Sequence, residues 1–80
     1  ELGVSGVTCN AIAPGYFETE INRDLMANEA FVKFVNDRTP LRRWGKPEEL
    51  AGAALFLASP AASYVNGHVL AVDGGMTTTI

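Results

Sequence analysis

Eighty residues with nine acidic and six basic side chains carry a formal charge of −3, which argues against generic nucleic-acid binding. A chain of this length supports one small domain that buries roughly 60–65% of its unfolded surface. The single cysteine rules out an intrachain disulfide and leaves no metal cluster with the lone His68, and no apolar run approaches the ~20 residues of a membrane span.

In chain order, Gly3 to Gly6 reads as a loop leading into a strand from Val7 to Ala13. The strand's side chains are small or apolar on both faces, as in a central parallel strand covered by helices on each side. Cys9 reads there as a small buried hydrophobe, and Asn10 as a residue that ties neighbouring loop backbone. Pro14-Gly15 ends the strand: proline fixes its own φ and lacks a donor, while glycine permits close approach. In an open parallel sheet, ligands sit outside the carboxyl ends of the strands. The break therefore delivers bare backbone, and then the Thr19 hydroxyl, to the place where a ligand would lie. On local sequence alone, Thr19 is equally a cap for a helix entered at Glu20-Ile21-Asn22.

From Glu20 to Arg38 the chain is amphipathic. Ile21, Leu25 and Met26 fit a short helix, and Asn28 caps a second that runs from Glu29 to about Arg38. Phe31, Phe34 and Val35 form its apolar stripe. Thr39-Pro40 ends it, because the residue before proline is pushed out of the helical region. Pro47-Glu48-Glu49 starts a third helix, with proline at its first turn and carboxylates at its positive end. That helix continues to Ala58 almost without a polar residue and so is expected to be buried nearly all round, by other parts of the domain or a neighbouring subunit, since eighty residues struggle to surround it. Ser59-Pro60 stops it. Val69 to Val72 is a second buried strand, entered by Asn66-Gly67 and left by Asp73-Gly74-Gly75. The long helical connection suits a right-handed crossover in one parallel sheet.

Taken in order, Val7-Thr8-Cys9-Asn10-Ala11-Ile12-Ala13-Pro14-Gly15, Thr19, Arg43-Trp44-Gly45-Lys46-Pro47-Glu48-Glu49-Leu50 and Tyr64 through Gly75 closely resemble the carboxyl-terminal portion of the short-chain dehydrogenase/reductase family. The resemblance runs from about Gly3 to Gly75. Its finer features, Pro14 through Glu20 and Thr39 through Gly45, are most similar to the branch that handles sugar acids and polyols. It implies an α/β fold: the carboxyl-terminal part of a Rossmann-type doubly wound parallel sheet, two strands with an intervening helical lid and a buried helix. Residues 1–80 are then one segment of a single dehydrogenase domain, with the substrate lid at about 19–46.

The same resemblance implies NAD or NADP as cofactor, with Pro14, Gly15, Phe17 and Thr19 beside the nicotinamide. The Phe17 amide would bond the carboxamide oxygen, and the Thr19 hydroxyl the carboxamide or a phosphate. Glu20, Met26, Arg43 and Trp44 become candidates to face a gluconate-like sugar acid or polyol, since a guanidinium grips a carboxylate bidentately. The bland alternatives are a solvated loop whose charges pair with nearby acids and a tryptophan that anchors it. The family's catalytic tyrosine is followed four residues later by a lysine. Here Tyr16 is followed by Glu20 and Tyr64 by His68, so no catalytic residue is assigned and the segment alone is expected to be inactive. No Gly-x-Gly-x-x-Gly follows a strand either. Homo-oligomers through the Pro47–Ala58 helix and the Val69–Val72 strand, and a cytoplasmic location, complete the expectation. The rival reading is a non-catalytic, self-associating structural fragment.

Overall fold

The computed structural model describes residues 2–79. Strand β1 (Ala11–Pro14) pairs in parallel with β2 (Val69–Val72), in the register Ala11 to Val69 through Pro14 to Val72. Between them lie a 3-10 turn at Glu20–Asn22, α1 (Arg23–Met26), α2 (Glu29–Arg38), α3 (Pro47–Ala58) and a 3-10 turn at Pro60–Ala62. Both strands thus end on the same side, and the Gly15 segment leaves the sheet beside the Asp73 turn.

The helix limits follow from their caps. The Asn28 side chain accepts the Phe31 N–H at 3.1 Å and opens α2. Thr39 closes it in an extended conformation (φ −102°, ψ 119°) ahead of Pro40, while its hydroxyl donates to the Val35 carbonyl at 2.7 Å. At α3, Pro47 takes the first turn, and the Glu49 carboxylate accepts the Lys46 N–H at 2.9 Å. The Ser59 hydroxyl turns back to the Phe56 carbonyl at the other end.

Three expectations are corrected. Pairing of β1 begins at Ala11 rather than Val7, because the preceding backbone is taken by other partners. Cys9 N–H donates to Asn66 Oδ1, Cys9 C=O accepts from Gly67, and Asn10 Oδ1 accepts the His68 N–H, all at 2.9 Å. Asn10 Nδ2 also donates to the Val65 carbonyl, so Asn10 does tie the neighbouring loop. The segment before the strand is a 3-10 turn (Leu2–Ser5) rather than an irregular loop. Cys9 is exposed, and the faces of both strands are open rather than sandwiched.

Within this chain α3 has no buried residue; Leu55 is 70% exposed. The helix touches β1, and the chain supplies too little further surface to enclose the rest of it. The dimensions agree. The radius of gyration is 15.2 Å, against about 12 Å for a compact chain of this length. The accessible surface is 5957 Å², against roughly 4,700 Å² for a compact monomer of this mass. The well-buried residues are instead Phe17, Val35, Thr39, Trp44 and Ala62.

Candidate cofactor rim and lid

At the carboxyl edge of the sheet, the Gly15 N–H donates to the Val72 carbonyl at 2.9 Å, extending the ladder by one bond beyond Pro14. Gly15 is needed there for space. A Cβ at this position would lie 2.7 Å from the Asp73 Cβ and 2.8 Å from its Cα, closer than carbon atoms pack. The chain then runs to Phe17, which forms an isolated parallel bridge with Gly45. The bridge uses the Gly45 N–H to the Tyr16 carbonyl (3.0 Å) and the Glu18 N–H to the Gly45 carbonyl (2.9 Å). The Phe17 N–H takes no part in either bond.

Phe17 is 5% exposed, and its ring covers Gly45 so closely that a Cβ there would meet Cε2 at 2.6 Å. Thr19 occupies the position before the Glu20–Asn22 turn, yet its hydroxyl makes no cap bond. The Asn22 side chain instead donates to the Phe17 carbonyl at 2.8 Å, fixing the turn by a different route. The Phe17 N–H and the Thr19 hydroxyl, two residues apart, thus stand outside the bonds that hold this segment.

The proposed substrate residues divide. Glu20 is exposed and pairs with Arg23. Met26 is half-buried at the end of α1. Trp44 is 7% exposed and packs at 5.5 Å from the Tyr16 ring and 6.2 Å from Phe31, so it anchors the loop before α3 to α2. Both terminal nitrogens of Arg43 are held by the two oxygens of Glu49 at 2.8 Å, and Nη1 also donates to the Trp44 carbonyl at 3.1 Å. The pairing bland alternative describes that guanidinium. Hydrogen bonding by Arg43, then by the Lys46 N–H, pulls the Glu49 carboxyl from 4.5 down to about 2, and the same pair raises Arg43.

A cleft of about 390 Å³ separates the rim from the β2 exit turn, with Tyr16, Phe17, Arg43 and Gly74 among its walls. Phe17 and Arg43 line it; Pro14, Gly15, Thr19, Glu20, Met26 and Trp44 do not. On the far wall Asp73 closes its own turn, with Oδ1 accepting from Gly75 at 2.9 Å and Oδ2 from the Thr77 N–H at 3.1 Å. Burial works to raise that carboxyl, and the Thr77 and Gly75 donors outweigh it and bring it below the usual range. Gly45, Glu49 and Asn66 are structural partners of the site; the sequence reading had placed Glu49 at a helix start and Asn66 in a turn without these contacts. Glu49 had a signal: a carboxylate three residues past a helix start can cap it.

The family model described as enoyl-(acyl carrier protein) reductase matches residues 1–77. The 5-keto-D-gluconate 5-reductase of Escherichia coli (strain K12) is 51% identical over 80 residues, covering all of this chain and 32% of that protein. Gluconate 5-dehydrogenase of Gluconobacter oxydans (strain 621H) is 53% identical, again over the whole chain and 31% of that protein. Among solved structures, a gluconate 5-dehydrogenase from Burkholderia cenocepacia J2315 in complex with NADP and tartrate superposes with a TM-score of 0.88 at 53% identity, over 94% of this chain and 29% of that one. A 2-keto-3-deoxy-D-gluconate dehydrogenase from Streptococcus agalactiae gives 0.88 at 39% identity, over 99% and 32%. The chain spans about a third of the length of the relatives it matches.

Proposed function

Because the chain belongs to the short-chain dehydrogenase/reductase family, we propose that it is the nicotinamide-rim and lid segment of an NAD(P)-dependent oxidoreductase acting on a sugar acid or polyol such as gluconate. One observation carries the reading. The segment beyond Pro14 is held by the Val72 and Gly45 ladders, while the Phe17 N–H and the Thr19 hydroxyl stay out of them.

In this reading Phe17 N–H and Thr19 Oγ1 grip the carboxamide or a phosphate of the dinucleotide, and Pro14 and Gly15 form the wall beside the ring. The bound nicotinamide supplies hydride chemistry; these residues supply orientation, which selects the reacting face. The gluconate relatives, and the neighbour holding NADP with tartrate, support the cofactor and the acidic-sugar class. Glu20 and Met26 are the lid residues proposed to face substrate. Arg43, which is held by Glu49, and Trp44, which is buried in the aromatic cluster, are proposed to shape the lid rather than to bind substrate directly.

No tyrosine in the chain has a lysine four residues on, so the 80-residue chain alone is proposed to turn over no substrate. The test is a chimera in which these residues replace their counterpart in the Gluconobacter oxydans enzyme. It should oxidise gluconate, and Thr19→Val should raise its cofactor KM roughly tenfold, the worth of a lost hydrogen bond. An active chimera indifferent to Thr19→Val would refute the rim assignment. Oxidation of gluconate by the chain alone would refute its inactivity.

Self-association is the second reading, favoured by the exposure of Leu55, Phe56 and Val69 on α3 and β2. It is compatible with the first. An unfolding midpoint that rises with chain concentration would support it, because subunit-linked stability follows mass action.

A further inference from the structure

The tripeptide Trp44-Gly45-Lys46 is held on both flanks by one ion pair. Arg43 Nη1 donates to the Trp44 carbonyl at 3.1 Å, and Glu49 Oε1 accepts the Lys46 N–H at 2.9 Å. Arg43 and Glu49 close on each other through two parallel 2.8 Å bonds, the fork-to-fork geometry that fixes direction as well as distance. Lys46 Nζ adds a 3.5 Å contact to Glu18. Gly45, at the centre of this bracket, makes both hydrogen bonds to the rim, one on each side of Phe17.

We propose that Arg43 is a positioning residue for the nicotinamide rim, acting through Glu49 and Gly45 to fix the Phe17 backbone. The inference rests on the rim reading above and replaces substrate recognition as the task of this arginine. Its physical content is specific. Side-by-side forks restrict the guanidinium to one plane, and that plane sets the Trp44 carbonyl. A lysine carries the charge but has no fork, so Arg43→Lys keeps the attraction and loses the geometry.

The test uses the 80-residue chain with amide hydrogen exchange and titration of nicotinamide mononucleotide. Arg43→Lys and Arg43→Ala should each speed exchange of the Gly45 and Glu18 N–H groups by roughly tenfold, with α2 amides unchanged. Affinity for the mononucleotide should fall severalfold while the urea midpoint hardly moves. Glu49→Gln, which keeps one acceptor oxygen and turns the other into an NH2 donor that the guanidinium cannot use, should be intermediate. Unchanged exchange at Gly45 and Glu18 in both arginine variants overturns the proposal. So does loss of tartrate binding in Arg43→Ala with those amides still protected, since that outcome makes Arg43 a substrate ligand. Thr19→Val separates the two readings. If it weakens the mononucleotide while Arg43→Lys does not, the rim stands and the positioning role fails. If the wild-type chain does not bind the mononucleotide at all, the rim reading fails, and the exchange rates still decide whether Arg43 holds Gly45.

Discussion

Gly67 and Gly74 share one backbone conformation and differ in their neighbours, which makes them a controlled pair. Their φ angles are +73° and +65°. A Cβ at Gly67 meets nothing within 4 Å, whereas one at Gly74 falls 2.7 Å from Thr39 Cγ2. Gly67→Ala should therefore cost only the left-handed backbone, about 1–2 kcal/mol. Gly74→Ala adds an overlap of about 1 Å against ordinary carbon contact. Thr39 has little freedom to move away: it is 3% exposed, and its hydroxyl is bonded to the Val35 carbonyl at 2.7 Å. Overpacking of this kind adds about 1–3 kcal/mol, for a total of about 2–5 kcal/mol. Thr39→Ser removes the obstructing methyl and keeps the hydroxyl, so the double variant should recover the steric part. Urea unfolding followed by Trp44 fluorescence measures the wild type, the three single variants and the double variant, and the cycle of Gly74→Ala with Thr39→Ser isolates the coupling. Equal costs for the two glycines, with coupling within about 0.5 kcal/mol of zero, would show that the β2 exit turn does not rest on Thr39.

Three further perturbations probe other parts of the fold. Gly52→Ala, where a Cβ meets nothing within 4 Å, should raise the stability of the chain by about 0.8–1 kcal/mol through helix propensity; a loss in urea unfolding would reveal a partner surface packed on α3. Asn28→Ala removes the α2 cap and should cost about 0.5–2 kcal/mol, read as lost helical ellipticity together with a lower midpoint. Glu49 is lowered from 4.5 to about 2, so the native state binds its proton more weakly than the unfolded chain does; its contribution is full above about pH 4.5 and disappears as the pH falls toward 2. Glu49→Gln should flatten the acid side of a stability profile without abolishing it, because the Asp37 and Asp73 carboxyls are lowered as well.

What the sequence disclosed depended on the span of the interaction. Asn28, Thr39-Pro40 and Pro47 set helix ends through partners within four residues, and α2 and α3 have the limits those residues imply. Val69–Val72 is likewise bounded by its flanking turns. The start of β1 was not readable in this way. Its upstream hydrogen bonds go to Asn66, Gly67 and His68, nearly sixty residues on, and nothing in Val7 to Asn10 announces them. Arg43 fails differently: its residue type says that it will hold a carboxylate, and only the coordinates say that the carboxylate is Glu49. The α3 sequence describes a helix to be covered, which is a statement about partners that no periodicity can identify.

The distribution of buried residues explains why the rim can keep its shape while α3 and the sheet faces lie open. Tyr16, Phe31 and Trp44 meet edge to face or tilted within 5.5–6.2 Å. They join the rim, α2 and the loop before α3, segments with no local repeat in common. Such ring contacts add roughly 0.5–1.5 kcal/mol each beyond the area they bury. Phe17, Val35 and Thr39 lie among the same segments and are almost inaccessible to solvent. The chain's core therefore sits among α2, the loop before α3 and the Phe17 segment, which Gly45 and Asn22 hold. Covering the exposed residues of α3 would add stability without being needed to form this cluster.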